Sequence, residues 1–235
     1  MTNFSKTKIL TSIKSLKEIS LVLNKGVDII DFKDPSEGAL GAIPTKQIKL
    51  FLKSIPSDQV TSATIGNIED IKTIKQKVIM LSKTNVDFIK IGFFFDYKKI
   101  KILKNLKELA KNKKIIAVLF ADNKPNVNLI REIKKIQFDG ILIDTNNKKN
   151  GNLRNYLTTK EIKNFIKISK KENLSIGLAG SLNIKDIDPL IKLKPDYLGF
   201  RGALCKEKKR KDDISEILLD KIISRFRFFS FQKTI

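Results

Sequence analysis

Apolar and polar positions along the chain switch repeatedly between a period of two and a period near 3.6, which predicts strands and helices in alternation. Residues 8–13 read as a strand, and 16–24 as a helix that Gly26 stops. A strand over 28–33 is followed by a helix over 45–54, with Pro44 just before it. The β-branched run 60–65 predicts a third strand, and the spacing of Ile71, Ile74, Val78 and Leu81 predicts a helix over 68–83. The pattern continues with strands at 88–92, 115–120, 140–144, 175–179 and 197–201. Helices are predicted at 97–111, 127–136, 159–172, 184–193 and 214–223, with a polar loop over 145–154. Alternating strands and helices argue for a parallel sheet, and eight such units in this length argue for a closed (β/α)8 TIM barrel. An open doubly wound sheet is the alternative, but its dinucleotide-binding glycine fingerprint is absent. The barrel is expected to occupy 1–224 as one catalytic domain, with a Phe-rich tail over 225–235. No repeat beyond the βα unit is visible.

The densest stretch is 28–42, DIIDFKDPSEGALGA. Its strand breaks at Asp34-Pro35, where proline removes a donor and restricts the residue before it. Strand alternation places Asp31 and Lys33 on one face and Ile30 and Phe32 on the other. A structural ion pair at a strand end is one reading of Asp31 and Lys33. In a (β/α)8 barrel, however, the C-terminal ends of the strands carry the chemistry. By that rule Asp31 and Lys33, Lys90 on the fourth strand, Asp122 after the fifth, Asp144 ending the sixth and Lys148 in its loop converge on one rim. Gly180-Ser181 and Gly202-Ala203 follow strands seven and eight, where backbone N–H groups commonly hold a phosphate.

Composition narrows the chemistry. The chain has no histidine, which excludes His-based triads and His-liganded zinc. It has one cysteine, Cys205, and so no cysteine cluster for a metal. Neither a metal nor a cofactor is expected, and acid–base work falls to Lys, Asp, Glu, Tyr or Cys. Interior lysines suit carbonyl chemistry, because a desolvated or cation-crowded amine loses its proton and can form a Schiff base. A metal-free, lysine-dependent lyase acting on a phosphorylated aldehyde follows. The lone cysteine and the short apolar run at the N-terminus suggest a cytoplasmic protein without a membrane span.

The formal charge of +22 invites a nucleic-acid reading. Only six of the 47 basic residues are arginine and they are dispersed, which fits an A/T-biased genome as well as a binding surface. No nucleic-acid motif is present, so a specific nucleic-acid partner is not expected, although the field would attract an anionic substrate. Four phenylalanines within 226–231 suggest a tail that covers the barrel or enters an interface of a homo-oligomer.

Six segments together resemble the (5-formylfuran-3-yl)methyl phosphate synthases of methanofuran biosynthesis. They are 28–41 (DIIDFKDPSEGALG), 62–66 (SATIG), 87–92 (DFIKIG), 143–145 (IDT) with Lys148, 178–181 (LAGS) and 195–205 (PDYLGFRGALC). The resemblance implies a barrel lyase that condenses two molecules of glyceraldehyde 3-phosphate, losing phosphate and water, to a furan aldehyde carrying one phosphate. It implies that Lys33 forms the Schiff base, that Lys90 accepts and moves protons, and that Asp31, Asp144 and Lys148 are supporting charges. The chain departs from the family pattern at Asn67-Ile68-Glu69-Asp70, in the loop after Asp144 and in the Phe-rich tail.

Overall fold

Eight strands pair in sequence order, all parallel, and the eighth closes on the first in the computed structural model, which describes residues 7–94, 97–148 and 151–231. The order is β1 (Lys8–Ile13), α1 (Leu16–Asn24), β2 (Ile29–Phe32), α2 (Thr45–Lys53), β3 (Val60–Thr64), α3 (Ile71–Ser82), β4 (Phe88–Gly92), α4 (Leu106–Ala110), β5 (Lys114–Phe120), α5 (Leu129–Lys135), β6 (Gly140–Asp144), α6 (Leu153–Tyr156), α7 (Thr159–Lys171), β7 (Ser175–Leu178), α8 (Ile184–Ile191), β8 (Tyr197–Phe200) and α9 (Glu216–Phe231). This is the expected (β/α)8 barrel.

Strand alternation divides the core in two. Ile9, Ile13, Ile30, Phe32, Ile89, Ile91, Ile141 and Ile143 face outward and pack under the helices. Leu10, Ile29, Ile116, Val118, Phe120, Leu142 and Tyr197 fill the barrel itself. Branched and aromatic side chains thus make the interior a packed core, open only towards its two rims.

Several elements differ from the sequence reading. The helix expected over 97–111 is a 3₁₀ run, Tyr97–Leu103, followed by the short α4. Buried Ile100, Leu103 and Leu106 recur every three residues, the period of a 3₁₀ turn. Helix α3 starts at Ile71 because the Asp70 carboxylate accepts from the N–H groups of Lys72 and Thr73. Helix α6 arises in the predicted polar stretch, where Asn152 and Asn155 make a reciprocal cap. The closing helix runs on to Phe231, and Phe226 packs edge-on against Phe200 of β8. On the opposite face of the helix Ile217 and Phe228 stand exposed.

A further repeat does exist, at the bottom rim. Asp28, Asp87, Asp139 and Asp196 each stand just before an even-numbered strand. Their carboxylates accept the backbone N–H of Ile9, Thr61, Ile115 and Ile176, each on the preceding odd strand, at 2.7–2.8 Å. The repeat unit is therefore two βα units. One aspartate at unequal spacing is too sparse a signal to stand out in sequence, but each supplies an acceptor for a donor at a strand start.

Candidate active site

Asp31 lies at the centre of the barrel, fully buried, opposite Ser12 on β1 and Ser62 on β3. Both hydroxyls donate to it, at 2.8 and 2.7 Å. Lys90 reaches across from β4 and places Nζ 2.5 Å from Asp31 Oδ1. Burial alone would raise the Asp31 pKa, but the charges of Lys90 and Lys33 and the bonds from Lys90 and Ser62 hold it below the usual carboxylate range.

Lys33 does not pair with Asp31, its neighbour on the same strand face. Its Nζ lies 3.9 Å from Asp144 Oδ2. The other oxygen of Asp144 accepts from Lys148 and from the Thr145 N–H, the latter at 2.7 Å. Asp144 is thus held at a pKa of about 2: burial opposes ionisation, but Lys148 and Lys33 overcome it. Lys33 has the opposite fate. Burial strips its ammonium of water and lowers its pKa from 10.5 to about 7. Asp144 and Asp31 resist this fall, and Lys148 and Lys90 add to it. Burial also lowers Lys148, against the pull of Asp144.

These groups line one cavity of about 130 Å³ at the C-terminal rim, together with Gly180, Ser181, Gly202, Ala203, Lys208 and Arg210. A larger cavity, about 590 Å³, opens at the opposite rim under Phe88, Lys114, Ile116 and Tyr197 and touches Lys90 from below. The smaller one is the candidate site because it holds Lys33, Asp144 and Lys148 and lies where barrel strands deliver chemistry.

Two glycine loops form one wall. Gly180 has φ +99°, and an added Cβ would press on the backbone of Thr145. Ser181 follows with φ 52°. Gly202 opens a short 3₁₀ turn, Gly202–Leu204. The N–H groups of Gly180, Ser181, Gly202 and Ala203 donate to no acceptor among the described residues, so they remain available to an anion.

Other residues place the loops. Arg201 is buried and gives both oxygens of Glu18 a bond at 2.9 Å. It also holds the carbonyls of Arg210 and Asp212, at 2.9 and 2.7 Å, which fixes the loop after β8. Asp122 is not part of the cavity wall. It accepts from the N–H groups of Asn146 and Asn147 and shapes the loop that carries Lys148. Asn67, at the first departure from the family pattern, accepts from Leu40 N–H at 3.0 Å and donates to Glu37 O at 2.5 Å, pinning the loop after Lys33.

Sequence reasoning placed Asp31, Lys33, Lys90, Asp144, Lys148 and the two glycine loops on one rim, and the structure brings all of them together. It missed Ser12, Ser62 and Arg210. Strand alternation was a usable signal for the serines, because each is a polar residue on an inward-facing position. Arg210 lies in an irregular loop that has no such period.

Fold and site together define a (β/α)8 barrel with a lysine–carboxylate centre and glycine loops at its C-terminal rim. The chain belongs to the 4-HFC-P synthase family, whose model matches residues 9–223. A relative from Methylorubrum extorquens is 33% identical over 211 residues, covering 88% of this chain and 86% of its own. The (5-formylfuran-3-yl)methyl phosphate synthase of Methanococcus aeolicus is 29% identical, covering 92% of this chain and 97% of its own. Among solved structures, phosphoribosyl anthranilate isomerase from Thermus thermophilus superposes with a TM-score of 0.69 at 11% identity, covering 95% of this chain and all of its own. At that identity the likeness concerns the fold alone.

Proposed function

We propose that this chain condenses two molecules of glyceraldehyde 3-phosphate to (5-formylfuran-3-yl)methyl phosphate through a Schiff base on Lys33. The observation that carries the proposal is the desolvated, buried Lys33 amine, with a pKa of about 7 in the wall of the cavity. The neutral amine attacks the aldehyde carbon of the first triose phosphate, and loss of water leaves an iminium. Asp144, ionised beside it, balances the positive charge. The iminium acidifies the neighbouring C–H; Lys90 passes a proton to Asp31 across their 2.5 Å contact and, as a neutral amine, accepts the proton leaving carbon. The carbanion equivalent then adds to the second aldehyde. Ring closure and eliminations release, by atom balance, one phosphate and two waters. The loops at Gly180-Ser181 and Gly202-Ala203 hold a phosphate by backbone N–H groups. Incubation of the purified protein with glyceraldehyde 3-phosphate is expected to produce the ultraviolet band of a furan aldehyde. Simple ketose or hexose phosphates in its place would make the protein an ordinary triose-phosphate aldolase or isomerase.

The pH profile follows from the same amine. Below pH 7 the activity kcat/KM is expected to rise about tenfold per pH unit as Lys33 loses its proton, and to level above it. Asp144→Asn removes the main charge that holds the proton on Lys33, so the acid limb should move to lower pH. An unmoved limb in this variant would assign the titration to another group.

Gly202→Val tests the phosphate wall. An added Cβ meets nothing nearer than 3.7 Å, so folding should be little affected. The side chain would still obstruct close approach of a phosphate, and KM is expected to rise at least about tenfold. Unchanged kinetics would remove Gly202 from the site.

A further inference from the structure

The charges around the cavity do not balance. Lys90 is paired with Asp31, Lys148 with Asp144, and Arg201 with Glu18. Lys33 shares the already paired Asp144 at 3.9 Å. Arg210 and Lys208 also line the cavity, and neither has a carboxylate within ion-pair distance among the described residues. Arg210 is half-buried, and among the described residues its guanidinium makes a single bond, from Nη2 to the Gly38 carbonyl at 3.0 Å. Its remaining N–H donors meet no acceptor among the described residues.

Position separates this cation from the glycine wall. The Arg210 side chain starts beside Gly202, where an added Cβ would lie 4.0 Å from its own Cβ. The guanidinium then extends away from the loops after β7 and β8 to the loop after β2, where Gly38 lies. Its backbone carbonyl accepts from the buried Arg201 at 2.9 Å, so the start of the side chain is set by the fold. The enclosed space is also small. The cavity is about 130 Å³. Arg210 and Lys208 lie in its lining with exposed or half-exposed side chains, so a second phosphorylated substrate would meet them on the solvent side.

We propose that Arg210 and Lys208 form a second phosphomonoester subsite at the cavity mouth, which holds the phosphate of the second triose phosphate. The inference rests on the two-substrate condensation proposed above. Arginine presents a planar fork that binds two phosphate oxygens at once, and it stays charged in a half-buried position. Lys208, exposed beside it, adds charge without fixed geometry. A phosphate monoester carries about −1.5 to −2 charges near pH 7, which matches the two unpaired cations. The first triose phosphate uses the glycine wall and Lys33, whereas the second is oriented by Arg210 with its aldehyde towards the bound intermediate.

The probe is inorganic phosphate, with binding stoichiometry measured by equilibrium dialysis on the wild type, Arg210→Gln and Gly202→Val, each checked for folding by thermal melting. Two phosphates per chain are expected in the wild type and one in each variant. Fewer than two in the wild type, or two in folded Arg210→Gln, would overturn the subsite. Borohydride trapping with glyceraldehyde 3-phosphate then separates the roles. Arg210→Gln should still trap the first triose on Lys33, while condensation falls about tenfold to a hundredfold and Arg210→Lys partly restores it. Loss of trapping in parallel with condensation would place Arg210 on the first phosphate and overturn the proposal. A wild type that binds two phosphates but makes no furan would refute the condensation and leave the anion site standing.

Discussion

Borohydride added with glyceraldehyde 3-phosphate is expected to fix a covalent adduct on Lys33, and Lys33→Arg is expected to abolish both the adduct and product formation. Arginine keeps a positive charge near Asp144 but stays protonated, so it cannot attack a carbonyl. Lys33, in contrast, is deprotonated for a large part of the time at neutral pH because burial has lowered its pKa to about 7. The same depression has a thermodynamic consequence. Between about pH 7 and 10.5 the unfolded chain holds a proton on Lys33 that the folded chain does not, so this group makes stability rise with pH across that window. Below pH 7 the folded state carries the full penalty, roughly 5 kcal/mol from a shift of this size. Lys33→Met should therefore be inactive yet more stable by roughly 2–5 kcal/mol at pH 7, because Asp144 keeps Lys148 as its partner. Mass mapping decides the chemical half and denaturant melts decide the other. An adduct on Lys90, with Lys33→Arg trapping normally, would exchange the two roles. A destabilised Lys33→Met would show that the amine is not held against its solvation.

Lys90→Met is expected to have the opposite effect on stability. It leaves Asp31 fully buried with only Ser12 and Ser62 as donors. Breaking a buried pair by removing one partner costs about 3–5 kcal/mol. The charges that hold the Asp31 pKa down come first from Lys90, so its loss lets burial dominate and raise that pKa. Asp31→Asn combined with Lys90→Met should recover most of the stability, since no charge then remains buried alone. On activity, Lys90→Arg should still permit trapping on Lys33 while product formation falls about 10²–10⁴-fold, the range for losing a positioned proton-transfer group. Full turnover in Lys90→Arg would remove Lys90 from the proton path, and a single Lys90→Met variant as stable as the wild type would show that Asp31 is neutral in the fold.

Much of the site was legible because strand residues carry an address. Alternation along β2 and β4 puts Asp31, Lys33 and Lys90 inside the barrel, and position along the strand puts them near one rim. What alternation cannot report is which lysine meets which carboxylate. Asp31 and Lys33 are adjacent on one face of a single strand, and a pair between them is one reading of the sequence. In the folded barrel Lys90 takes Asp31 from across the barrel, and Lys33 is left to share Asp144 with Lys148. Pairing of long side chains depends on reach across the barrel, which strand curvature and tilt set. Asp122 is the converse case: its place after β5 suggested chemistry, but its oxygens are occupied by backbone donors of the next loop.

The sequence by itself determined the eight alternating units, the inward and outward faces of the strands and the family, since period and motif order are local or ordered along the chain. Only the tertiary structure decided the partners of Lys33 and Lys90, the depressed pKa of Lys33, the four bottom-rim aspartates as one repeat and the place of Arg210 at the cavity mouth. Each of these depends on distances between residues far apart in the chain and on how completely water is excluded around them. Both quantities come into being only when the barrel closes.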